Sequence, residues 1–327
     1  MKETMQKFSR IPGALALLIP LLSHAAGDAG SCRYIPVAKL PIEYSDATHR
    51  AVVMGTVNGK STRMIIDTGA YETFLFRAGA ERLGLPLDTT GRHSSGVGGT
   101  SVNYVTRVDD FSVGIAHSGK APIQVIGHSS KMDGDALVGA DFLLQTDMEL
   151  SLADKYLQFF RATGCGDTYL AYWDSNAMEI PFAGKEEHSN KPYVTVELNG
   201  VKLRAILDTG APRSSVTRHG AELAGIRVDG PGVSKGRKTG GIGEERIDTW
   251  IATFDSFSIG PESMKHVELA ILDESSIGRG PVDVVLGVDF LRAHRILFAM
   301  SQDRLYMSYL GGDPFPPRIV RTAPKAP

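Results

Sequence analysis

Met64-Ile65-Ile66-Asp67-Thr68-Gly69-Ala70 and Ala205-Ile206-Leu207-Asp208-Thr209-Gly210-Ala211 are one pattern met twice in the chain. Each is a short apolar run, the mark of a buried strand, that stops abruptly on a carboxylate, a hydroxyl and a glycine. Asp and Gly form strands poorly, so each run presents its aspartate at a turn. One such stop is a turn cap. Two in equivalent surroundings point to a pair of facing carboxylates.

The surroundings are equivalent. Val57-Asn58-Gly59, a hairpin turn signal, matches Leu198-Asn199-Gly200, and the two aspartates share its spacing of 141 residues (208 − 67). Helix patterns follow at the same offset, over Arg77–Leu85 and Arg218–Ile226. Gly96-Val97-Gly98 matches Gly241-Ile242-Gly243 at 145, Phe111–Gly114 matches Phe257–Gly260 at 146, and Leu137–Leu143 matches Val285–Leu291 at 148. The offset grows in small steps, as loop insertions make it grow. The chain is therefore a duplicated, mostly-β unit of about 130 residues. Residues 33–160 form the first predicted unit, 161–176 a linker, 177–311 the second unit and 312–327 a Pro-rich tail.

The whole chain bounds the function classes. Its 327 residues, 42% hydrophobic and 22% charged, suffice for two ordinary domains. A net charge of −2 with scattered Lys and Arg leaves no electrostatic footprint for nucleic acid or an anionic membrane. The nine histidines are dispersed, without His-Glu-x-x-His or a Cys/His cluster, so neither a metal site nor a cofactor is expected. Residues 1–26 read as a signal peptide: Lys2, Lys7 and Arg10, the apolar run Ile11–Leu22, and a small-x-small pattern ending at Ala25. That run contains two prolines and falls short of the about 20 residues a membrane span needs. Export to a periplasmic or extracellular space is expected, with no stable span after cleavage. Cys32 and Cys165 are the only cysteines, and an exported chain permits a disulfide between them as readily as two free thiols.

If two β units pack about a pseudo-twofold axis, Asp67 and Asp208 come to share one site. Two carboxylates at close range do not both ionise, so they share a proton and one is raised. Such a pair can activate a water as general base while its protonated member polarises a carbonyl. Thr68 and Thr209 place hydroxyls beside the pair, in reach of the opposite copy's backbone. Gly69 and Gly210 permit close backbone approach and offer amides to the carboxylates. Gly96, Val97, Gly98 and Gly99 in one copy, and Gly241, Ile242 and Gly243 in the other, lie on expected hairpins whose tips fold over an extended peptide.

With these motifs the chain resembles the retropepsin-like aspartic proteases, in a bacterial-type arrangement of two tandem domains. The carriers are Asp-Thr-Gly-Ala at 67–70 and 208–211, Gly-rich flaps at 96–99 and 240–243, and Leu137-Val138-Gly139 with Val285-Leu286-Gly287. The resemblance implies an all-β fold with short helices and a closed six-stranded-type barrel per copy. It also implies catalytic Asp67 and Asp208, a grip between copies by Thr68 and Thr209, and endopeptidase action on a peptide or protein. Viral members carry an Arg after the hydrophobic-Gly pair; Ala140 and Val288 stand there, so viral-style dimer contacts do not carry over. Pepsin-like enzymes usually carry Ser or Thr at the places of Ala70 and Ala211. Without that hydroxyl the ionised carboxylate is less favoured, and a mildly acidic optimum is expected. A monomeric pseudo-dimer with one shared dyad is the expected form. Two alternatives stay open: each copy pairing with its equivalent in a second molecule to give two sites, and a non-catalytic peptide-binding module of the same fold.

Two other signals are weaker. Gly232–Thr239 approaches a phosphate loop, but Arg237 sits where its second glycine must stand. Ser214-Ser215 follow the second motif without a recognisable His and Asp to pair with them.

Overall fold

Each copy is built outward from a tight hairpin. Asn58 and Gly59, at φ +50° and +73°, turn the chain between the strands Ala51–Val57 and Lys60–Ile66. Asn199 and Gly200, at φ +51° and +77°, do the same between Pro192–Leu198 and Val201–Leu207. Two consecutive positive φ values match the right-handed twist of the flanking strands, and Asn-Gly tolerates them best. The second strand of each hairpin then pairs in parallel with a short apolar strand from far along the chain, Ala136–Val138 or Val284–Leu286. Flanked on both sides, Met64-Ile65-Ile66 and Ala205-Ile206-Leu207 are buried throughout, which is why both read as continuous apolar runs.

The computed structural model describes residues 31–45, 50–128, 133–187, 190–273 and 282–317. The signal-peptide reading of residues 1–26 and the end of the tail, 318–327, lie outside them. Among the described residues there are twenty-four strands and four short helices. In the second copy, Pro192–Leu198, Val201–Leu207, Val284–Leu286, Ser215–Thr217, Glu262–Leu272 and Thr249–Ile259 pair in that order, and the last returns to the first. That ring is a closed six-stranded barrel. The first copy follows the same path, but its last ring member breaks at Asp109-Asp110, so Gly99–Val108 carries one side and Phe111–Val113 makes the return. Asn58 Oδ1 absorbs the break, accepting from the Asp109 and Asp110 amides at 2.7 and 3.2 Å.

Helices are shorter than the sequence pattern suggests. The first spans Arg77–Leu83 and closes on Gly84 at φ +72°; the second spans Arg218–Leu223, with Thr217 Oγ1 accepting from the Gly220 amide at its start. Left-handed glycines, Gly84 and Gly225, stop both before the apolar pattern runs out.

A third sheet belongs to both copies. Arg33–Pro41, Tyr156–Thr163 and Asp147–Ser151 from the first meet His294–Ala299, Arg304–Tyr309 and Met178–Pro181 from the second, six strands in one ladder. The seam lies between Asp147–Ser151 and His294–Ala299, in the register Met148↔Phe298 through Ser151↔Arg295. Buried Glu149 spans this seam: it accepts from Arg295 Nε at 2.9 Å and from the Tyr172 hydroxyl at 2.8 Å. Cys32 and Cys165 are joined as a disulfide beside the outer pairing Arg33↔Thr163. Apolar packing is continuous from one copy to the other, and the described residues from Cys32 onward form one compact unit. Even the start of the tail is anchored, with Phe315 buried against Phe257 and Phe290 and Pro316 O accepting from Arg213. Among the described residues no helix is long and apolar enough to cross a membrane.

Candidate active site

Both aspartates sit at the ends of the twice-flanked strands. The Asp67 amide donates to Val138 O at 3.0 Å and the Asp208 amide to Leu286 O at 2.9 Å, which pins each strand end to its parallel neighbour. The chain then turns around its own carboxylate. Asp67 Oδ1 accepts from the Gly69 and Ala70 amides at 3.0 and 2.9 Å; Asp208 Oδ1 accepts from Gly210 and Ala211 at 2.8 and 3.2 Å. A hydroxyl braces each turn from behind. Thr73 Oγ1 accepts from the Gly139 amide and donates to Asp141, and Ser214 Oγ accepts from the Gly287 amide and donates to Asp289. Ser214 is therefore a strut of the scaffold.

The two turns are locked together by their threonines. Thr68 Oγ1 donates to Leu207 O at 2.7 Å and accepts from the Thr209 amide at 3.1 Å. Thr209 Oγ1 donates to Ile66 O at 2.8 Å and accepts from the Thr68 amide at 3.0 Å. Four bonds cross between the copies in a reciprocal set, as an axis relating equivalent residues requires. Both side chains are shut off from solvent, with Thr68 1% and Thr209 0% exposed.

This lock sets the Asp208 carboxyl against Gly69 and the Asp67 carboxyl against Gly210, so that the two acids interact directly. The glycines make room for it. A Cβ on Gly69 would stand 2.5 Å from Asp208 Oδ2, and one on Gly210 would stand 2.7 Å from Asp67 Oδ1, so neither position accommodates a side chain. Burial pushes the Asp67 carboxyl well above the usual carboxylate range and the Asp208 charge pushes it further; the Ala70 amide and Arg50 oppose the rise. Two ionised groups so placed would repel. Among the described residues no three His, Cys, Asp or Glu side chains converge as a metal site needs.

Above the dyad's turns the Gly-rich segments meet each other. In the first copy Gly96 and Gly99 pair at the tip of the hairpin Asp88–Gly96 and Gly99–Val108, with Val97 and Gly98 in the turn. In the second copy the expected hairpin is interrupted: the two-residue strand Ser234–Lys235 pairs antiparallel with Thr249–Ile259, and an isolated antiparallel bridge, Thr239↔Ile247, lies nearer the tip. Four glycines at 236, 240, 241 and 243 weaken strand pairing beyond Lys235. The tips interlock. The Glu245 amide donates to Gly98 O at 2.8 Å, and a Cβ on Gly241 would stand 2.6 Å from Val97 O. Ile242 crosses to an apolar cluster of the first copy, formed by Val52, Ile65, Phe74, Phe76, Ile126 and Leu137 with Ala70 at its edge. The second flap thus packs on the same cluster as the residue that ends the Asp67 turn.

Two residues that the motif reading passed over also stand here. Arg50 Nε donates to Gly210 O at 3.2 Å, and Lys191 Nζ donates to Gly69 O at 3.1 Å. The signal that finds them is the repeat offset itself.

The sequence profile of the aspartyl protease family matches residues 53–142 and again residues 194–290, together more than half of the chain. The chain belongs to the aspartyl protease family. Each matched segment holds one Asp-Thr-Gly-Ala turn and one hydrophobic-hydrophobic-Gly strand of this family. Among solved structures, the aspartic proteinase from Irpex lacteus is similar at 15% identity and a TM-score of 0.49, over 85% of this chain and 97% of that one. No curated protein matches the chain.

Proposed function

We propose that the protein is an exported aspartic endopeptidase with one intramolecular site, in which Asp67 and Asp208 share a proton and activate a water. The observation that carries this is the reciprocal Thr68–Thr209 lock, which makes the two aspartates of one molecule neighbours without a second chain. The ionised carboxylate takes a proton from the water, whose oxygen bonds to the scissile carbonyl carbon. The protonated carboxyl gives its proton to the carbonyl oxygen, and a neutral tetrahedral diol results. Proton transfer to the amide nitrogen then lets the C–N bond break, and one diol hydroxyl returns its proton as the new carboxylic acid forms. The dyad ends with the single proton it began with. A peptide is the substrate class the family implies, and the interlocked tips at Gly98 and Gly243 are the segments that part to admit it. The raised Asp67 carboxyl and the absence of a hydroxyl at Ala70 and Ala211 together favour a mildly acidic working range.

The test is digestion of a mixed peptide library by the chain from Gly27 onward, across about pH 3 to 7, with and without a transition-state-mimic inhibitor of aspartic proteases. Inhibitable cleavage lost entirely in Asp208→Asn supports one shared dyad. Partial activity in that variant points to two separate homodimeric sites, and no cleavage at any pH leaves a peptide-binding module.

A further inference from the structure

Arg50 and Lys191 stand 141 residues apart (191 − 50), the spacing of the two aspartates, each just before the first strand of its copy's hairpin. Neither reaches its own copy's motif. Arg50 of the first copy donates to the carbonyl of Gly210 in the second, and Lys191 of the second donates to the carbonyl of Gly69 in the first. Those carbonyls belong to the peptide groups whose N–H, on Ala211 and Ala70, donate to Asp208 Oδ1 and Asp67 Oδ1. Each aspartate is therefore linked by one peptide group to a cation from the opposite copy. Lys191 is 5% exposed, with its Nζ 4.0 Å from the Tyr71 ring centroid.

We propose that Arg50 and Lys191 are a matched pair of positioning residues that polarise the Gly210–Ala211 and Gly69–Ala70 peptides and hold the dyad in its singly ionised form. The inference rests on reading Asp67 and Asp208 as the working pair. A cation on a carbonyl oxygen makes the same peptide's N–H a stronger donor, because hydrogen bonds in series polarise one another in a low-dielectric interior. A buried dyad carrying one negative charge also needs a compensating charge nearby.

The charged and titratable groups around the arrangement are few. Asp67 and Asp208 face both cations, and Glu186 faces Lys191. Glu186 also accepts from the Tyr193 hydroxyl and faces Tyr71. Burial pulls Lys191 and Arg50 down from their usual ranges, while the carboxylates hold both up. The two cations and the dyad are thus mutually dependent: each keeps the other charged.

The experiment follows the dyad's carboxyl signals by NMR in protein carrying carbon-13-labelled Asp, assigned with Asp67→Asn and Asp208→Asn, through a pH titration. Arg50→Gln and Lys191→Gln remove the charge and keep a donor; Arg50→Lys and Lys191→Arg keep the charge. The Gln variants should titrate higher by about one pH unit, the scale on which an adjacent opposite charge acts, and the charge-keeping variants should return toward wild type. The pH profile of peptide cleavage should shift in the same direction. A Gln variant that titrates with the wild type overturns the proposal, and if Arg50→Gln does not fold, Lys191→Gln alone decides it. The titration needs no turnover. A shifted titration in a protein that cleaves nothing keeps this inference and removes the endopeptidase reading; unshifted titration with unshifted cleavage does the reverse.

Discussion

Replacing Thr68 with valine, which has the same shape, tests whether the threonine lock holds the halves together. The change strips one donor from the Leu207 carbonyl and leaves the Thr209 amide without its acceptor. Both threonines are buried, so water does not replace the lost partners. At about 1–3 kcal/mol for each of the two buried groups left short, Thr68→Val should cost about 2–6 kcal/mol. Thr209→Val should cost the same, because it deprives the Ile66 carbonyl and the Thr68 amide in mirror fashion. Thr68→Ser and Thr209→Ser keep the hydroxyl and lose only a methyl, about 1 kcal/mol each. The four bonds divide between the two side chains without overlap but span one junction, so the double Val variant should cost less than the sum. Urea unfolding, followed by the fluorescence of Trp173 and Trp250, gives these differences as midpoint shifts at constant slope. If each Val variant lies within about 0.5 kcal/mol of its Ser counterpart, the hydroxyls do not hold the junction and the reasoning fails.

Three more outcomes follow from the same geometry. The Asp67 carboxyl is raised in the fold, so its favourable contribution is full below the unfolded carboxylate range and disappears as pH climbs through the folded value. Asp67→Asn is neutral throughout and should gain on wild type as pH climbs from the unfolded carboxylate range, about pH 4, toward neutrality; melting curves that keep a constant gap over that range would refute this. At Gly243, φ is +98° and an added methyl would overlap the Gly98 backbone, so Gly243→Ala should disturb the meeting of the flaps. A raised KM with a melting temperature lowered only modestly is expected, and an unchanged KM would count against a substrate role for that contact. The Cys32–Cys165 bridge closes a separation of 133 residues, and reducing it should lower unfolding stability by about 3–5 kcal/mol in the loop-entropy account. Matching urea midpoints with and without reductant would refute that.

Much of the site could be read from spacing alone. Thr68 and Thr209 carry the same offset as their aspartates, and glycine follows each because the opposite carboxylate occupies the space of its Cβ. What spacing does not contain is strand partnership. Asp147–Ser151 reads as a strand closing the first copy, yet its neighbour on one side is His294–Ala299, far along the chain, and nothing in five residues names that partner. The second flap differs for a local reason: Gly241-Ile242-Gly243 matches its twin closely in sequence, but the glycine-rich lead-in leaves only a two-residue strand and an isolated bridge where the first copy has a long hairpin. Arg50 and Lys191 escaped because they differ in type and lie outside any apolar pattern. Their significance is a hydrogen bond to a backbone carbonyl, which leaves no trace in side-chain identity.

The shared sheet has a consequence for kinetics and for recognition. A single copy would end in an unpaired edge strand and would complete its ladder only by meeting another molecule. Here the partner edge is tethered, so closing the seam is a first-order event, insensitive to protein concentration. Tethering also frees each half to change without its twin. After the first motif stand Tyr71 and Glu72; at the same places after the second stand Pro212 and Arg213. A peptide runs from amino to carboxyl end, and a strictly twofold cleft reads both orientations alike. With Glu72 after one turn, accepting from Gln124, and Arg213 after the other, donating to Pro316 O, this chain departs from that symmetry.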